Sequence, residues 1–127
     1  MQKLLTRIRE AFGPAKETRQ VVCNESGFTV VEHGKTLARV AWSEVLEIFA
    51  YKEDRFATDD ICLGFRVQAD GTFCMVSENF IGYKELVAEL ERRFSGIRTE
   101  WFSDVEFPAF ALNRTTLWGK TWKASHP

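Results

Sequence analysis

A chain of 127 residues that is 45% hydrophobic, with four Trp, two Tyr and eleven Phe, can bury the core of one domain without metals or disulfides. Charged residues at 28%, with eight Gly and three Pro, exclude the disordered and fibrous classes. The net charge of -1 hides an asymmetry: residues 1–20 and 113–127 each carry +3 and the body between them -7, which argues against a nucleic-acid-binding face on the body, because phosphate binding needs a concentrated positive patch.

The opening segment, MQKLLTRIREAFGPAK, gathers Leu4, Leu5, Ile8 and Phe12 on one side of a short helix over 1–14 that ends near Gly13-Pro14. That helix either lies on its own domain or docks on a partner or an interface. Lys3, Arg7, Arg9 and Glu10 interrupt every apolar run, so neither a signal peptide nor a membrane span is predicted, and the membrane is not an expected partner. From Arg19 the period changes to two: RQVVC, FTVVEH and TLARVAW, separated by NESG and GK, predict three short antiparallel strands. WSEVLEIFAY then predicts a brief turn and a further strand, with Ile48 and Ala50 facing one way and Phe49 and Tyr51 the other.

After the polar loop KEDRFATDD, the stretch ICLGFRVQADGTFCMVSE is the clearest hairpin signal, with Asp70-Gly71 as a two-residue turn. That turn would set Cys74 opposite Val67 and Val76 opposite Phe65, with Ile61, Leu63, Phe65, Val67, Cys74 and Val76 on the core face. Cys62 then points away from Cys74. Cys23, Cys62 and Cys74 show no C-x-x-C or Cys/His cluster, a pattern that suits a reducing cytoplasm, the expected location. FIGYKELVAELERRFSG predicts the main amphipathic helix at 80–95, with Tyr83, Leu86, Val87, Leu90 and Phe94 on one face, Glu89 paired with Arg93, and Gly96 closing it. The segment 97–127 is extended and rich in aromatics: Trp101, Phe102, Phe107, Phe110, Trp118 and Trp122. Phe107 and Phe110, bracketing Pro108, are expected in the core, while Trp118 and Trp122 either pack on the domain or anchor a partner.

The step WSEVLEI into a strand, followed by strands and one amphipathic helix, resembles the bacterial pleckstrin-homology-like domains. AYKEDRFATDDICLGF together with FPAFALNRTTLW is similar to a family of small uncharacterised proteobacterial proteins. The resemblance covers residues 27–118 and implies a family but no chemistry. Pleckstrin-type domains tend to end at the long helix, whereas this chain continues through 97–127, and lipid headgroup binding is not carried over.

Catalytic constellations are absent from the sequence. His33 and His126 neighbour no Ser, Cys or carboxylate in a catalytic or zinc spacing, and no phosphate-cradling glycine motif occurs. Glu53, Asp54, Asp59 and Asp60 form an acidic loop that lacks EF-hand spacing and reads as a solvated loop; no metal and no cofactor are expected. The expected fold is α+β: a single domain over 1–127, its strands within 19–77 forming a strongly curved antiparallel sheet of six or seven strands, a pleckstrin-homology-like half-barrel, with helix 80–95 covering one face or open end. The expected function is a non-enzymatic binding module acting through protein–protein contact or as a homodimer, in its sharper form inhibitor-like or immunity-like with an acidic surface. Glu53, Asp54, Asp59, Asp60, Trp118 and Trp122 are its partner-binding candidates. The alternative is a small-ligand or lipid binder using the mouth of the sheet, with Trp42, Phe49 and Tyr51 as its wall.

Overall fold

The computed structural model describes residues 17–54, 59–97 and 114–123, without the side chains of Asp54 and Asp59. The predicted helix over 1–14, the loop 55–58, Trp101, Phe102, Phe107, Phe110 and His126 lie outside these residues. Seven strands and one α-helix are described: β1 (Arg19–Cys23), β2 (Gly27–Glu32), β3 (Lys35–Ala41), β4 (Glu47–Asp54), β5 (Asp59–Arg66), β6 (Phe73–Ser77), α1 (Tyr83–Arg93) and β7 (Thr115–Gly119). The fold is α+β with every strand pair antiparallel.

The strands form two sheets, not one curved sheet: β1-β2-β3, and β6-β5-β4-β7. The break has a local cause. Trp42–Glu44 forms a single 3-10 turn between β3 and β4, in which the Glu44 carboxylate accepts the Ala41 N–H, and this turn carries the chain out of the first sheet and into the second. β2 and β3 are joined by His33 and Gly34, both at positive φ (50° and 79°), the conformation of a type I′ hairpin turn. His33 therefore belongs to the turn, one residue earlier than the glycine alone suggests.

The β5–β6 hairpin differs from its predicted register. Cys74 lies opposite Phe65 and Val76 opposite Leu63, two residues from the expected pairing. The loop is wider than Asp70-Gly71: Val67 N–H donates to the Thr72 carbonyl, Gly71 N–H to the Gln68 carbonyl, and Thr72 N–H to the Asp70 carboxylate. Because the slip is an even number of residues and side chains alternate, the same residues still face the core.

The core lies between the two sheets. Phe28 from the first sheet and Phe65 from the second meet with ring centroids 4.7 Å apart, and Ile48, Ala50, Leu63, Val76, Leu86 and Leu90 fill the space around them. Ile48 and Ala50 face this core while Phe49 and Tyr51 face the opposite side of β4, the alternation expected from the sequence. The helix buries Tyr83, Leu86 and Leu90, and Phe94 at its end is also buried. Glu89 holds Arg93 at 2.6 Å, as its four-residue spacing predicts, and Arg92 at 2.6 Å as well.

Candidate functional site

Two sheets packed face to face meet along two long sides, and here the sides differ. On one, the α1 segment spans from β1 to β7. Ile81, just before the helix, exchanges backbone hydrogen bonds with β1: Val21 N–H to the Ile81 carbonyl at 2.8 Å and Ile81 N–H to the Arg19 carbonyl at 3.0 Å. Gly82 allows this approach, since a Cβ there would lie 2.3 Å from the Val21 carbonyl oxygen. At the far end Phe94 sets its ring edge-on against Trp118 of β7, with centroids 4.7 Å apart.

On the other side β3 and β6 are the last strands of their sheets, and among the described residues neither pairs with a further strand. An apolar cleft of about 360 Å³ opens between them. Val40 and Ala38 come from β3, Cys74 and Met75 from β6, and Val67 and Phe80 from the flanking turns. Two large apolar side chains at its lips, Leu37 (53% exposed) and Phe73 (43%), are only partly covered, the Phe73 ring turning edge-on to Phe49 on the outer face of the second sheet. Leu37 sits where the β2–β3 register shifts, an extra residue that bulges the edge. Burial pushes the Cys74 thiol up to about 11, which leaves it a neutral apolar wall group.

The outer face of the second sheet carries a different constellation, which the sequence reading did not anticipate. Glu47 is fully buried, and its Oε1 accepts hydrogen bonds from Arg114 (2.6 Å), the Trp122 N–H (3.1 Å) and Arg66 (3.2 Å), while Oε2 accepts the Thr116 hydroxyl (2.6 Å). Thr116 has one hydroxyl hydrogen and gives it to this carboxylate, so Thr121, 2.7 Å away, is the donor to Thr116. Burial opposes ionisation of Glu47, but these donors outweigh it and hold the carboxyl below its usual value. Arg66 also donates to the Lys120 carbonyl, and the Arg114 guanidinium lies 3.6 Å from the Phe49 ring centroid. Every partner except Arg66 comes from residues 114–122, so the cluster is a clamp that fastens β7 to β4.

The sequence-predicted site residues fall in separate places. The β4–β5 register brings the four acidic residues together at one hairpin end, Glu53 opposite Asp60 and Asp54 opposite Asp59. Asp60 is buried and accepts hydrogen bonds from Asn79 Nδ2 (3.0 Å) and Ser77 Oγ (3.4 Å). Trp118 is half-buried against Phe94, and Trp122 donates its indole N–H to the Ala69 carbonyl while its ring covers Gly71. Trp42 packs beside Phe28, donates to the Asn24 carbonyl and carries the Arg93 guanidinium over its ring. Phe49 and Tyr51 lie on the outer face with Phe73, so Trp42, Phe49 and Tyr51 do not line one mouth. Among the described residues no three His, Cys, Asp or Glu are placed to hold a metal ion, no disulfide joins any of the three cysteines, and no helix is long and apolar enough to cross a membrane.

The cleft residues were missed because no motif marks them. The available signal was indirect: Leu37 breaks the alternation of KTLARVA, and FCMVS is an uncharged strand followed by a helix. Compared with family models, curated proteins and solved structures, the chain matches none.

Proposed function

We propose that this protein is a non-enzymatic binding module that works by protein–protein contact, and that its contact site is the seam between β3 and β6. A partner's extended segment adds there as a strand, pairing its backbone with a free edge and placing alternate side chains in the apolar cleft. The observation that carries the reading is the conjunction, among the described residues, of two unpaired edges with an apolar cleft between them and half-exposed Leu37 and Phe73 at its lips. The acidic hairpin end is a separate surface whose Asp60 is already engaged by Ser77 and Asn79, so the seam carries more of the argument.

Selection of displayed random peptides against the full chain, followed by amide hydrogen exchange of the complex, tests this. Selected peptides are expected to be extended and apolar at alternate positions, and to slow exchange in Lys35–Ala41 and Phe73–Ser77. Peptides that protect other regions instead, or the absence of any binder, would overturn the reading. A concentration-dependent dimer that protects the same amides without peptide would assign the seam to a second copy.

A small apolar ligand is the second reading. It is favoured by the cleft volume, which falls at the lower end of the range for small-molecule sites. A medium-chain fatty acid that raised the melting temperature and competed with selected peptides would support it, since a ligand binding only the native state must stabilise that state.

A further inference from the structure

We infer that the segment taken up by the seam is acidic and that Arg39 reads its charge, an inference that rests on the strand-addition reading above. The cleft walls are apolar, but among the described residues the charged groups on its border are of one sign: Arg19 and Arg39 line it, and no carboxylate does. The two arginines differ in how far they are committed. Arg19 already holds Glu17, with Nε 2.9 Å from the carboxylate, and its guanidinium lies 4.7 Å from the Phe80 ring centroid. Arg39 is exposed, stands opposite Thr29 across the β2–β3 ladder, and has no ion-pair partner among the described residues.

The strands themselves extend the bias. β3, KTLARVA, contributes Lys35 and Arg39 and no acid; β6, FCMVS, contributes no charge at all. A strand laid along β3 therefore passes two cations, of which Lys35 already stands opposite Glu32 and Arg39 opposite the uncharged Thr29. A Glu or Asp beside Arg39 gains a charge-assisted hydrogen bond that a neutral side chain cannot make, and a Lys there meets like charge across the ladder. The apolar residues supply burial while the acidic ones fix partner and register, a division common to specific interfaces.

Three synthetic peptides of about ten residues, a length that spans a strand of this size, separate the two levels of the argument. Each alternates Val and Thr in its centre and carries Glu, Gln or Lys on both flanks. Their affinities for the full chain and for Arg39→Glu are read by fluorescence anisotropy at low and high salt. The order expected for the native protein is Glu over Gln over Lys, with roughly tenfold between the extremes at low salt and a smaller spread at high salt, where exposed charges are screened. In Arg39→Glu the order reverses, and an unchanged circular dichroism spectrum is expected because the side chain is exposed. Equal binding of all three, or a preference for Lys in the native protein, overturns the charge inference and leaves the seam standing. Failure of all three to bind either protein overturns strand addition and this inference with it.

Discussion

Along the β1/β7 side the space between the sheets is filled by a helix that presents Leu86 and Leu90 inward, and Ile81 just before it exchanges backbone hydrogen bonds with β1; along the β3/β6 side, among the described residues, an apolar cleft stays open. The difference teaches what closing a seam requires. An apolar stripe is not enough, because the edge amides also need partners, and Ile81 and Gly82 supply both the partner and the close approach. Among the described residues the open side has neither, but it bears the devices by which proteins blunt a bare edge: a bulge at Leu37 and the charges of Lys35 and Arg39 on β3. Such devices discourage pairing with a passing strand.

Breaking the closed side is expected to have the largest effect. Phe94 is buried between Trp42 and Trp118, with ring contacts to both, and Phe94→Ala should cost about 3–5 kcal/mol in chemical denaturation, the range for deleting a core aromatic ring. A loss below about 1 kcal/mol would mean that this side is not sealed by the ring at all.

Next in size is the clamp that holds β7, the strand against which Phe94 packs. Glu47→Ala strands Arg66 and Arg114 without their carboxylate. The expected loss is about 3 kcal/mol, the low end for breaking a buried pair, because Arg114 keeps 31% of its side chain in water. Exchange of the Trp122 indole hydrogen, bonded to the Ala69 carbonyl, should quicken in the same variant as residues 119–123 loosen. The pH dependence has a definite sign. Since the folded carboxyl titrates below its ordinary value of 4.5, its contribution is present above that value and is lost as pH falls through the folded pKa. The stability difference between the native protein and Glu47→Gln should therefore narrow in acid; a constant difference would show that Glu47 is not ionised in the fold.

How much of this was legible beforehand follows from which interactions are local. Alternation placed Ile48 and Ala50 on the core face of β4, and the spacing of Tyr83, Leu86 and Leu90 placed the helix, because these patterns depend only on strand and helix periods. The brief turn at Trp42–Glu44 was legible but the two-sheet division was not, since a break one turn long does not reveal that the strands on either side of it join different sheets. The Glu47 clamp was hidden for another reason: its partners lie 19 to 75 residues away in the chain, and an isolated Glu in WSEVLEI carries no sign of being buried. The hairpin register failed because the Asp70 carboxylate, by capping Thr72, favours a four-residue loop over the two-residue turn that Asp-Gly suggests.

The glycine at the helix entry gives a smaller and more local break of the same comparison. Gly82 has φ of +91°, and a Cβ would press on the Val21 carbonyl that lies beside the Ile81 bridge. Gly82→Ala should cost about 2 kcal/mol, from left-handed strain of roughly 1–2 kcal/mol with crowding added. Gly34 has similar φ (+79°) but open space around its Cβ position, so Gly34→Ala should carry the strain without the crowding. Equal costs for the two would remove the claim that close approach to β1 matters.

The smallest expected effect on stability is at the open side, and there the comparison becomes a statement about function. Leu37 is more than half exposed, so Leu37→Ser gives up little buried area and should change stability by less than about 0.5 kcal/mol, as surface substitutions usually do. An incoming strand, however, would cover Leu37, and the same substitution should weaken selected peptides several-fold, a hydroxyl replacing an isobutyl group at the lip of the cleft. Phe94→Ala therefore tests a surface the protein has already closed on itself, and Leu37→Ser one that the proposed partner strand would cover. If Leu37→Ser destabilises the free protein as much as a core substitution does, the lip is part of the fold and the seam is not a site; if it leaves both stability and peptide affinity unchanged, the segment enters elsewhere along β6.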